Sequence, residues 1–131
     1  MHDPIPLVPV SWGEVIDKIT ILEIKARRIS SAPAQANVRK ELSLLTQTVA
    51  SEVLQRDDVK DVKARLLMAN ERLWEIEDRI REKETGKVFD ADFIALARSV
   101  YRVNGERAEL KREISKLLGS GLMEEKSYSA F

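Results

Sequence analysis

Cysteine is absent from the 131-residue sequence, which excludes disulfides and thiolate metal sites and suits a reducing cytosol. Glycine and proline are scarce, at five and four residues. With 34% charged and 44% apolar residues, that is the usage of a soluble helical protein. Neither charge sign is in excess, since Lys plus Arg and Asp plus Glu stand at 22 each. No global field therefore draws the chain to nucleic acid or to an anionic membrane. Long apolar runs are missing too. The opening "MHDPIPLVPV" has no basic leader, and prolines interrupt it, so it is expected to be neither a signal peptide nor a membrane span. Histidine is confined to His2, incidental in this arm.

What is present is helical periodicity across one domain, residues 1–131. The proline-rich residues 1–10 read as an extended arm. In "VSWGEV", Ser11 is placed as N-cap, Glu14 completes a capping box, and Val10 and Val15 form a hydrophobic staple. The first helix is expected over 12–29. A second starts near Pro33 and carries Val38, Leu42, Leu45 and Val49 on one stripe. After a break at "QRDDVK", with Asp57 as cap, a third helix repeats apolar residues at 59, 62, 66, 69, 73, 76 and 80, a coiled-coil seam. Gly86 is expected to end it. Asp90 caps a fourth helix that runs to about Leu118, followed by a tail over 119–131. The expected fold is an all-α antiparallel four-helix bundle with a long hairpin of helices 3 and 4.

Several polar residues fall inside the apolar arcs: Glu23 on helix 1, Asn104, Arg107 and Lys111 on helix 4, with Asn70 and Glu77 flanking the seam of helix 3. Buried charges must meet one another, water or a ligand. These six are the candidate site, read first as a structural ion network and second as a pocket for a small anionic metabolite. Two E-x-x-D pairs, Glu14 with Asp17 and Glu75 with Asp78, have the spacing of magnesium-binding carboxylates in all-α pyrophosphohydrolases. Both are expected to point away from the apolar arcs as solvated faces, so no metal and no cofactor is inferred. Helical chorismate mutases grip a dicarboxylate with more cations than Arg107 and Lys111 supply. No serine or threonine has a base partner for nucleophilic catalysis.

At "PVSWGEVIDKITILEIKARRI", "LWEIEDRIREKE", "FIALARSVYRVNGERAELKREISKLLGS" and "EEKSY", the chain resembles an uncharacterised family of short bacterial proteins. The resemblance implies a helical fold and a bacterial origin, and names no catalytic residue. The expectation is a cytoplasmic structural or interaction module; a metabolite binder or enzyme at the inward cluster is the alternative. A homodimer is expected because Ile21, Ile24, Leu67, Met68 and Trp74 lie off the main stripes. A protein partner stays open, and nucleic acid and membrane are not expected. In the tail, Leu122, Met123, Tyr128 and Phe131 are expected to pack on the bundle or on a second copy.

Overall fold

The computed structural model describes residues 1–126. Among them the chain forms five helices and no strand: α1 (Trp12–Arg28), α2 (Ala32–Thr48), α3 (Ser51–Gln55), α4 (Asp57–Thr85) and α5 (Ala91–Leu117). The all-helical expectation stands. One helix more is present than the periodicity predicts, because "SEVLQ" winds a single short turn-and-a-half just before the polar break.

Helix boundaries follow local chemistry. Ser11 Oγ accepts from the Glu14 backbone N–H at 3.2 Å, satisfying one of the free donors of the first turn. The N-cap of α4 is Arg56, and Asp57 is already helical. Asp90 caps α5 by accepting from the Phe93 N–H at 2.9 Å. Gly86 is the C-cap of α4 but keeps a right-handed conformation, and the left-handed position falls one residue later, on Lys87 (φ 54°). At the end of α5 the left-handed residue is Gly119 (φ 60°), with the Ser120 N–H bonded back to the Ser115 carbonyl at 2.8 Å. That is the usual glycine closure of a helix.

The α4–α5 hairpin is the backbone of the molecule, and α1 packs on it while α2 packs on α1. The main core joins Val15, Ile16 and Ile19 of α1 to Val49, to Val62 and Leu66 of α4, and to Ile114 of α5. A second cluster, Ala69, Leu73 and Val103, lies inside the hairpin. Ile24 is 1% exposed and belongs to the interior, not to a surplus outer face. Ile21, Leu67 and Trp74 are half-buried and Met68 is exposed.

The hairpin's far end carries exposed Val88, Phe89 and Ile94, and Phe89 and Phe93 meet edge to face there. Residues 1–10 lie exposed along their length, Leu7 at 93% and Val8 at 70%. In the tail, Leu122 is exposed and Met123 half-buried; Tyr128 and Phe131 fall outside the described residues.

Candidate functional site

Helix α1 is buried on two faces. Val15, Ile16, Ile19 and Leu22 form the arc that periodicity identifies. Gly13, Asp17, Thr20 and Ile24 recur at steps of four, three and four, and all four are buried as well. The second stripe mixes a glycine, an acid, a hydroxyl and one aliphatic residue, so it does not read as apolar.

Gly13 sets the approach of α1 to α5. Its N–H donates to Ser115 Oγ at 2.9 Å, and a Cβ at this position would fall on the Lys111 carbonyl. The neighbouring Trp12 N–H donates to Ser120 Oγ at 3.2 Å. Two of the donors that a helix start leaves free are thus satisfied by serines about a hundred residues away.

One turn along, the Asp17 side chain is 1% exposed and receives a two-point bond from Arg107, Nε to Oδ1 at 2.9 Å and Nη2 to Oδ2 at 2.6 Å. Asn70 of α4 donates both to Asp17 Oδ1 and to Thr20 Oγ1, each at 2.9 Å, and Thr20 Oγ1 donates to the Asp17 carbonyl at 2.7 Å. A buried carboxylate requires this kind of saturation. The hydrogen bonds from Asp17 hold the Arg107 guanidinium above its ordinary pKa against the opposing effect of burial. Lys111, 9% exposed, reaches Glu14 at 2.7 Å and Glu124 of the tail at 2.6 Å. Burial works against its charge, but the bonds to Glu124 and Glu14 outweigh it and leave the ammonium raised. The same bond from Lys111 is the main reason the Glu124 carboxyl is lowered.

The expectation that the Glu14–Asp17 pair faces solvent is therefore corrected. Asp17 is the most deeply buried acid of the cluster, and Glu14 turns to Lys111 and Lys18 rather than completing a capping box. Each carboxylate is already neutralised by a cation. Glu75 pairs with Arg28 and Asp78 with Arg81 on the exposed surface. Among the described residues no group of three His, Cys, Asp or Glu side chains is placed to hold a metal ion.

Of the six candidate residues, the structure brings Asn70, Arg107 and Lys111 into this network. Glu23 lies on the other side of α1 and pairs with Lys63 at 3.0 Å, and Glu77 pairs with Arg81 at 3.7 Å. Asn104 makes no side-chain hydrogen bond among the described residues and borders two adjoining depressions. One, about 180 Å3, is lined by Asn104, Arg107, Ala108, Lys111 and Lys126. The other, about 330 Å3, lies between the second half of α1 and the hairpin. Asn70, Leu73, Trp74, Glu77, Asn104 and Arg107 line it opposite Ile21, Ile24 and Lys25. Sequence reasoning missed Thr20, Ser115, Glu124 and Lys126. The one signal for Thr20 is its spacing with Gly13, Asp17 and Ile24 on α1, which polar residues hide, whereas the tail residues carry no periodic signal.

No helix of the described chain is long and apolar enough to cross a membrane. A family model described as a family of unknown function (DUF6165) matches residues 7–131, so the chain belongs to that family. No curated protein matches it, and no solved structure does.

Proposed function

We propose that this member of DUF6165 is a self-associating interaction module, in which the apolar end of the α4–α5 hairpin is covered by the N-terminal arm of a second copy. The observation that carries this reading is the placement of two exposed apolar segments. The arm joins the molecule at Trp12, beside Ser115 and Ser120 at the end of α5. Val88, Phe89 and Ile94 sit at its beginning. From Ser115 back to Ile94 is 21 residues of α5, about 32 Å at 1.5 Å per residue, and Val88 and Phe89 lie beyond the start of the helix. Ten extended residues span at most about 33–36 Å, enough to approach Ile94 but not to run past it over Val88 and Phe89 at the end of the same hairpin. A two-fold antiparallel pair brings each arm to the other copy's hairpin end, and two-fold pairs are the commonest closed assembly. The family match begins at Leu7, so residues 7–10 of the arm are part of the family's domain.

Within each copy, α1, α2, α4 and α5 serve as the members of an antiparallel bundle, α2 contributing Leu42 and Leu45 to the core. The cytosol is the compartment that cysteine-free helical chemistry suits. Light scattering at micromolar concentration tests the assembly. The expected mass is twice the 14.9 kDa chain. Removal of residues 1–10 and, independently, Phe89→Ser with Ile94→Ser should each return it to a single chain mass. A monomeric wild-type protein refutes the proposal.

A further inference from the structure

The depression at Asn104, Arg107, Lys111 and Lys126 lies midway along α5, away from the apolar end of the hairpin, and its lining has one sign of charge. Three cations and an amide surround it, and no carboxylate lines it. The acids that neutralise those cations come from α1 and the tail and are not among the lining residues: Asp17 pairs with Arg107, Glu14 with Lys111, and Glu124 with Lys111 and Lys126. Asp17 uses Nε and Nη2 of Arg107. The Nη1 group has no hydrogen-bond partner among the described residues, and neither has the Asn104 amide. The guanidinium is thus held rigidly by one edge and leaves donors on the other, an arrangement suited to gripping an oxyanion.

We propose that this depression binds the phosphate group of a phosphate monoester, whose organic part lies in the adjoining groove against Trp74. Position, size and donor geometry support the assignment. Asn104, Arg107 and Lys111 stand on successive turns of α5 and share one face, so their donors converge from along the helix while Lys126 adds a fourth group from the tail. Donors from four residues suit a tetrahedral dianion better than a planar, singly charged carboxylate. The space, about 180 Å3, holds about six waters at ~30 Å3 each, room for one oxyanion but not for a whole metabolite. Asn104 and Arg107 also line the larger groove, where Trp74 and Leu73 offer an apolar wall for a ring. Glu124 then acts as an internal competitor, since its carboxylate already rests on Lys111 and Lys126 at the rim.

Calorimetry on the full chain at matched ionic strength, with inorganic phosphate, phenyl phosphate and acetate as probes, tests this. Inorganic phosphate should bind where acetate at the same concentration does not, and phenyl phosphate should bind more tightly. In Trp12→Phe, where Trp74 is the remaining tryptophan, phenyl phosphate should change the emission and inorganic phosphate should not. Asn104→Ala, which touches no ion pair, and Lys126→Ala, which removes only the partly exposed Lys126–Glu124 pair, should each weaken binding. Glu124→Gln should tighten it about fivefold, the effect of removing one nearby like charge in a water-like medium. A purely structural role for these residues predicts no such gain. Absence of phosphate binding beyond the response to chloride, or affinity unchanged in Asn104→Ala and Lys126→Ala, overturns the site. Equal affinities for the two phosphates with unchanged Trp74 emission overturn the placement of the organic part.

Discussion

At Asp17 a single buried charge organises three helices. Removing its partner by Arg107→Leu strands the carboxylate. Loss of one member of a buried pair costs about 3–5 kcal/mol, and with Arg107 partly exposed the expected loss is near 3 kcal/mol in urea unfolding. Asp17→Asn in the Arg107→Leu background should recover much of that; if the double variant is as unstable as the two single losses summed, Asp17 and Arg107 are not coupled. Gly13→Ala should cost about 1–3 kcal/mol by overpacking, since the new methyl meets backbone of α5 rather than a flexible side chain. The lowered pKa of Glu124 fixes a direction with pH. Its contribution is complete above the ordinary glutamate range and is lost as pH falls through its depressed folded value. Glu124→Gln should therefore flatten the acid limb of the stability profile measured by thermal unfolding between pH 6 and pH 3, roughly the window in which glutamate titrates.

The helical class, the buried apolar stripe of α4 from Val59 to Leu73 and the inward placement of Asn70, Arg107 and Lys111 were legible because each follows a helical repeat. Asp17 was not, because a helix wheel weights residues by hydrophobicity, and an acid beside a glycine and a threonine looks like a solvated face. Glu23 shows the opposite failure: it sits within the apolar arc by angle, yet its chain is long enough to reach Lys63 near the surface.

On the scale of elements, α1 behaves as a central helix, with α2 on one flank and the hairpin on the other. The distinction is measurable at two neighbouring isoleucines. Ile24→Ala should cost about 2–5 kcal/mol, as for a fully buried aliphatic side chain, whereas Ile21→Ala, at the half-buried edge of the groove, should cost clearly less. Equal losses would mean that α1 has no second buried face. The turn between α4 and α5 offers a gain. Lys87 adopts the left-handed conformation (φ 54°), which costs a residue with a Cβ about 1–2 kcal/mol. Lys87→Gly should raise stability by up to about 1 kcal/mol after the entropy of glycine in the unfolded chain is deducted. A lowered melting temperature would mean that the lysine side chain contributes more than its backbone loses.

For the molecule as a whole, protection should fall along the hairpin. Ion pairs from α1 reach α5 at Arg107 and Lys111, so the stretch nearer the turn depends on α4–α5 packing and on exposed pairs such as Arg72–Glu106 and Lys83–Asp90, which contribute little individually. The bonds that close the start of α1 also impose an order in time. Gly13 and Ser115 are 102 residues apart, and at 5–20 residues per second a ribosome needs roughly 5–20 s to travel between them. Until α5 is made, Asp17 lacks the Arg107 guanidinium and Gly13 lacks Ser115. The first helix leaves the exit tunnel with both of its buried faces uncovered, and the arrival of α5 lets it settle.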